Sequence, residues 1–202
     1  MARAALSRRQ QNKAEKRGRI IAAARALFAH KGFEATTTQA IAEAADVGAG
    51  TLFLYARTKD DLLILVFRQE MIELVERAYE AARREAALND QLIAFFETFV
   101  VYHERDLPLA HALMRQLGYV ARAEQRAEVS ELMTSLLRRL ALLIEAAKGR
   151  GEARPETPLW NAAQAVFGVY YLNLGKLLSG YVNREQFDRD LKSQLGLLST
   201  GL

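Results

Sequence analysis

From Arg19 onward the apolar positions Ile20, Ile21, Ala24, Leu27 and Phe28 recur at helical spacing, and the pattern stops where His30 and Lys31 precede Gly32. This spacing predicts a first helix with one buried face. Thr36, followed three residues later by Gln39, reads as a capping box opening a short second helix, with Ile41, Ala42 and Ala45 turned inward and Thr37 on an exposed first turn. Asp46 and Val47 mark a turn, Gly48 caps the next element, and Thr51, Leu52 and Tyr55 share one short helix. Thr58-Lys59-Asp60-Asp61 is a further capping box with acids in the first turn, where the helix dipole favours them. It opens a long amphipathic helix whose apolar stripe runs from Leu62 and Leu63 through Met71, Leu74, Val75 and Ala78 toward Leu88. At 1.5 Å per residue that is a rod of roughly 40 Å.

Beyond Asn89-Asp90 the pattern continues as helices without strand alternation. The spans read as 91 to 105, 108 to 119 behind Pro108, 124 to 148 ending at Gly149-Arg150-Gly151, 158 to 181 behind Thr157-Pro158, and 184 to 199 capped by Asn183. Lys148 to Pro158 is expected to be a surface loop. The fold class is therefore all-α: a mobile basic tail over 1–17, a helix-turn-helix head over 18–58, a connecting helix over 59–88 and a helical body over 89–202.

Composition narrows the function classes. With 202 residues, half of them hydrophobic, the chain can bury a small head and a larger body. No stretch approaches the roughly 20 apolar residues that span a bilayer, and the basic N-terminus has no apolar run behind it, so a soluble, unexported, cytoplasmic protein without a membrane partner is expected. The chain has no cysteine, which excludes a disulfide framework and thiolate metal sites. Charge is uneven. Residues 1–31 hold nine basic side chains against Glu15 alone, so the remainder is net acidic although the whole chain carries +4. A basic end on a mildly acidic body suits a protein that meets a polyanion with one end. Three histidines and no glycine-rich phosphate loop offer little to catalysis. Glu104 and Asp106 flank His103 without making a site, so no enzyme, metal or cofactor is expected.

Arg19 to Leu63 resembles the N-terminal DNA-binding domain of the tetracycline-repressor (TetR) family of bacterial transcriptional regulators. The shared pattern runs through Ala23-Ala24, Leu27-Phe28, Gly32-Phe33, Thr36-Thr37, Ile41-Ala42, Ala45, Val47, Gly50-Thr51-Leu52, Tyr55, Lys59 and Leu62. The resemblance implies a homodimer on a pseudo-palindromic operator in double-stranded DNA, and a body that binds a small-molecule effector and releases the DNA, most simply as a repressor. Four positions depart from the family's usual residues. Asp46 stands for glycine in the turn, where its short side chain tolerates left-handed backbone; Gly48 stands for a serine cap, Phe53 for tyrosine and Ala56 for phenylalanine.

The chemistry of the head divides by role. Thr37, Tyr55 and Lys59 place hydroxyls and a cation at helix ends, suited to phosphate oxygens, with Thr36 beside them. Gln39, Gly48, Ala49, Gly50 and Leu54 stand where base edges can be approached, glutamine offering an amide to adenine and Leu54 a methyl contact to thymine. Leu52 and Phe53 read as core; Leu54 fits either reading.

In the body, Phe99, His103, His111, Met114, Tyr119, Trp160, Phe167 and Tyr170 are candidates for an effector pocket, although an aromatic stripe at this spacing also serves as plain core. The helix around Gly168, Leu172 and Gly175 is apolar on most of its circumference and is expected to pair, with Phe187, Leu191 and Leu195, against a two-fold mate. Asn173 suits either interface or pocket. A competing reading is a helical scaffold module whose basic end touches acidic partners; there the basic residues would matter collectively, and Thr37, Tyr55 and Lys59 individually would not.

Overall fold

A computed structural model describes residues 7–117 and 123–201. The first helix, α1 (Arg8–Lys31), is closed at its start by Ser7, whose side chain accepts from the Gln10 amide at 3.3 Å while Gln10 returns a bond to the Ser7 amide at 2.9 Å. The expectation of a mobile tail over 1–17 is therefore corrected for 8–17, while residues 1–6 lie outside the described residues. Residues 8–17 are the first turns of α1, exposed nearly throughout and so without the buried stripe that marks a helix in sequence. Two short helices follow, α2 (Thr38–Ala44) and α3 (Ala49–Leu52). Next comes the connecting helix α4 (Lys59–Ala82), capped as expected: the Thr58 hydroxyl accepts from the Asp61 amide, and the Asp61 carboxylate accepts from the amides of Arg57 and Thr58.

α4 ends six residues before Leu88, because Leu88 opens the next helix instead of extending the stripe. The body comprises α5 (Leu88–Glu104), α6 (Leu107–Leu117), α7 (Ala123–Gly149), α8 (Leu159–Leu178) and α9 (Arg184–Gly201), close to the expected spans. The loop after α7 is not only a surface connection. Glu152 accepts from the Leu88 amide at 2.6 Å and so caps α5 from a distant part of the chain. Its carboxyl is held below the usual range by Arg150 and then by that amide.

α4 is the axis of the molecule. It packs against α1 on the head side and against α5, α6 and α7 in the body, and residues 61–67 are buried in succession, all round the helix. One hydrophobic cluster runs through both parts. Within it the Phe96 and Tyr170 rings stack at 4.3 Å and 7°. Asn173, fully buried, donates to the Val169 carbonyl and to Gln194, both at 2.8 Å. That role, locking α8 to α9, is neither of the two left open by the sequence.

The expected dimer residues divide. Phe187, Leu191 and Leu195 are at most 4% exposed within a single protomer, so the core of the chain itself consumes them, and their assignment to a subunit interface is corrected. The inner stripe of an amphipathic final helix looks the same in sequence whether a mate or its own body covers it. Gly168 and Leu172 of α8 are exposed and Gly175 is half-buried, and Trp160 of α8 and Leu197 of α9 are exposed as well. Among the described residues, no helix is long and apolar enough to cross a membrane.

Candidate DNA-binding head and effector cavity

The turn between α2 and α3 depends on one residue. Asp46 has φ of 50°, alone among non-glycine described residues in the left-handed region, and its carboxylate accepts from Arg19 at 3.0 Å. The Val47 amide reaches back to the Ala42 carbonyl, and Gly48 caps α3 through its backbone with no side-chain bond. Leu52, 1% exposed, anchors α3 in the core, and the chain leaves helical form at Phe53, so Tyr55 lies in the following turn and not on the helix.

The outward face carries Thr37, Gln39, Gly48, Ala49, Gly50 and Leu54, all exposed, Leu54 at 84%. A Cβ added at Gly48 or Gly50 would meet nothing within 4 Å, so internal packing does not demand their smallness. Their smallness leaves the backbone open to close approach from outside. Phe53, expected in the core, is 48% exposed and joins this face: four residues of helix cannot turn both Leu52 and its neighbour inward.

Thr36 is corrected in the other direction. It is 2% exposed, and its hydroxyl donates to the Gly32 carbonyl at 2.7 Å, tying the end of α1 to the start of α2; it has no surface to offer DNA. Thr37 is the true cap, accepting from the Ala40 amide at 3.1 Å, while Gln39 donates to Glu43 instead of closing a box. Tyr55 and Lys59 are half-buried. The Tyr55 hydroxyl donates to the Lys13 carbonyl, which brings the start of α1 beside the recognition segment. Lys59 donates to the Glu34 carbonyl at 2.9 Å and sits 4.5 Å from the centre of the Phe33 ring. The cations of α1 are thus presented on a helix anchored next to α3, a placement that the Ser7–Gln10 capping pair could have signalled from sequence.

In the body, α4, α5, α6, α7 and α8 enclose a cavity of about 240 Å³. Of the expected pocket residues, Phe99, His103, Met114, Phe167 and Tyr170 line it. His111 does not: its side chain is exposed and its Nε2 meets the Leu178 carbonyl. Trp160, 43% exposed, lies away from it, and Tyr119 falls outside the described residues. Phe67, Met71 and Val75 of α4 and Val129, Leu132 and Leu136 of α7 also line it, with Met133, Tyr171 and Leu174. Of the first six, the sequence pattern places Met71 and Val75 on the apolar stripe of the connecting helix and singles out none of the other four.

Among the described residues no charged side chain lines the cavity, and two buried polar atoms on its walls, His103 Nδ1 and the Tyr170 hydroxyl, have no hydrogen-bond partner. Burial lowers the His103 pKa to about 4, so its imidazole is neutral at physiological pH, and burial likewise raises that of the Tyr170 phenol. His103 also lines a crevice between α1 and the body. There Arg25 of α1 pairs with Glu70 of α4 at 2.7 Å, and the Tyr102 hydroxyl of α5 donates to the same carboxylate. A polar chain thus runs from the head to the residue beside His103.

Residues 20–66 match the family model for bacterial regulatory proteins of the tetR family. The chain is similar to the fatty acid metabolism regulator protein of Bacillus subtilis (strain 168), 27% identical over 150 residues that cover 74% of this chain and 77% of that protein. It is also similar to the HTH-type transcriptional repressor KstR of Rhodococcus jostii (strain RHA1), 34% identical over 118 residues, 58% of this chain and 54% of the other. Among solved structures, a Thermus thermophilus FadR, a TetR-family repressor in complex with lauroyl-CoA, shares the fold with a TM-score of 0.73 at 23% identity, over 92% of this chain and 94% of that one.

Proposed function

From a chain whose head is the DNA-binding domain of the tetR family, we propose a homodimeric repressor that grips a pseudo-palindromic operator with two such heads and lets go when an apolar effector enters the body. The observation that carries this reading is the shared wall: Phe67, Met71 and Val75 face the cavity from the same helix that begins at Lys59 in the head. A ligand that shifts α4 at the cavity tilts the head. Two recognition helices serve one operator only when they sit about 34 Å apart, so a small tilt per protomer lowers affinity without unfolding anything.

Thr37, Tyr55 and Lys59 act on phosphates in this reading, and Gln39, Gly48, Ala49, Gly50 and Leu54 on base edges. Tyr55 and Lys59 exchange their present partners, Lys13 and Glu34, for phosphate oxygens on binding. The exposed α8–α9 face around Gly168 and Leu172 takes the second protomer. For the effector, an acyl thioester is the favoured class. The uncharged wall suits a hydrocarbon chain, and the B. subtilis relative is a regulator of fatty acid metabolism.

Fluorescence anisotropy against the DNA upstream of the chain's own gene, at two salt concentrations and with unrelated DNA as competitor, tests the first half. Tight, competitor-resistant binding is expected; weak binding that vanishes with salt would return the scaffold reading. Adding dodecanoyl-CoA or octadecanoyl-CoA tests the second. Release of the operator is expected, and an unchanged complex would remove acyl thioesters from consideration.

A further inference from the structure

The cavity wall is apolar except where it is oddly polar. Tyr170 is 3% exposed and His103 6%, yet the Tyr170 hydroxyl and His103 Nδ1 are both without a hydrogen-bond partner. A core built only to pack would place phenylalanine and leucine at these positions, since a buried unpaired polar atom costs stability that an isosteric apolar group does not. The two residues belong to one neighbourhood. Phe99, one turn before His103 on α5, has its ring centre 6.2 Å from that of Tyr170, and all three line the same space. The Tyr170 ring is held by its stack on Phe96, which leaves the hydroxyl fixed in place with nothing to bond.

Resting on the reading of this cavity as the effector site, we infer that it takes a ligand whose apolar body carries a neutral oxygen, a hydroxyl or a carbonyl, received by Tyr170 and His103. The Tyr170 hydroxyl donates to that oxygen. A neutral imidazole adds either a donor or an acceptor, according to which ring nitrogen holds the proton. A carboxylate is disfavoured at this position: among the described residues no lysine or arginine lines the cavity, and burying an unpaired anion costs far more than one hydrogen bond returns. The cavity thus separates ligands by polarity at one point along an otherwise greasy surface. A ligand with an oxygen there pairs two groups that an alkane leaves as unpaired as they were, so the preference comes from the hydrogen bonds gained.

Displacement of a fluorescent apolar dye from the full-length protein by 1-octanol, 2-octanone, n-octane and octanoate, near neutral pH, tests this. In the wild-type protein the alcohol and the ketone are expected to bind about tenfold more tightly than the alkane, with the carboxylate weakest. Tyr170→Phe is expected to reduce the alcohol and ketone about tenfold, leave the alkane unchanged, and keep or raise the melting temperature because the orphaned hydroxyl is gone. His103→Leu serves as the second variant, with the same loss of discrimination. Equal affinity for octanol and octane in the wild-type protein, or a Tyr170→Phe protein that discriminates as before, would overturn the inference while leaving the cavity as an effector site. Failure of all four compounds, together with an operator complex that dodecanoyl-CoA does not release, would overturn both.

Discussion

Head and body are built by opposite rules. The turns and helix starts of the head are set by short-range contacts, with a threonine cap at α2, an aspartate in left-handed geometry at the turn and a capping box at α4. It keeps a single face of small and exposed residues for an outside surface. The body is assembled from helices whose partners lie tens of residues away, and it keeps unpaired polar atoms inside. A surface that must fit one shape of DNA is better held rigid. An interior that must respond to a ligand benefits from contacts left unmade in its absence.

Phe28→Ala should separate the two most sharply. Phe28 is 1% exposed against Phe33, with ring centres 5.3 Å apart, and such truncations cost about 3–5 kcal/mol. The expected outcome is loss of operator binding with dye binding in the body retained, read by anisotropy and by a melt that divides into two steps; one unshifted transition would mean that head and body do not differ in this way. Acid should act on the body next. An unfolded histidine takes its proton near pH 6.5 and His103 only near 4, so between those values the unfolded chain holds more protons and stability falls as pH falls. The full loss is about 3 kcal/mol, reached near pH 4 and flat below it. Urea unfolding across this window should show it, and His103→Leu should flatten it; an unaltered slope in that variant assigns the effect elsewhere.

Thr37→Ala should cost the head about 1 kcal/mol by removing the α2 cap and should weaken binding to every DNA sequence alike. Thr37→Ser restores the cap; a variant that changes preference between operators would contradict a phosphate role. The smallest effect on stability belongs to the link between the regions. Arg25 is 61% exposed, so Arg25→Ala should alter the melting free energy by less than about 1 kcal/mol. It should still shift the effector concentration that releases DNA, and an identical release curve would disconnect the Arg25–Glu70–Tyr102 chain from signalling.

Legibility in the sequence followed the same division. The turn at Asp46, the caps at Gly48, Thr58 and Asn183, and the inward set Ile41, Ala42 and Ala45 could be read because each partner lies within a few residues. Thr36 and Thr37 exchanged roles because two adjacent hydroxyls compete for one cap, and only the buried Gly32 carbonyl decides between them. His103 could be picked out as a polar interruption of an apolar run, as could His111, which lies outside the cavity, but Phe67, Met71 and Val75 could not be told from core. A cavity is a property of what several helices fail to fill. Phe187, Leu191 and Leu195 were misplaced for a related reason: an apolar stripe states that it must be covered, not by what.

The amino-acid sequence alone determined the all-helical class, the helical order of the head and the uneven charge, because these depend on composition, periodicity, capping and backbone geometry over spans of a few residues. Tertiary structure decided which apolar residues wall a cavity, that Glu152 caps α5 from 64 positions away, that Asn173 bonds to Gln194 across two helices, and that His103 lies between that cavity and the crevice beside the head. Each of these requires distant segments to meet, and where they meet depends on the summed packing of the whole chain, which no local pattern encodes.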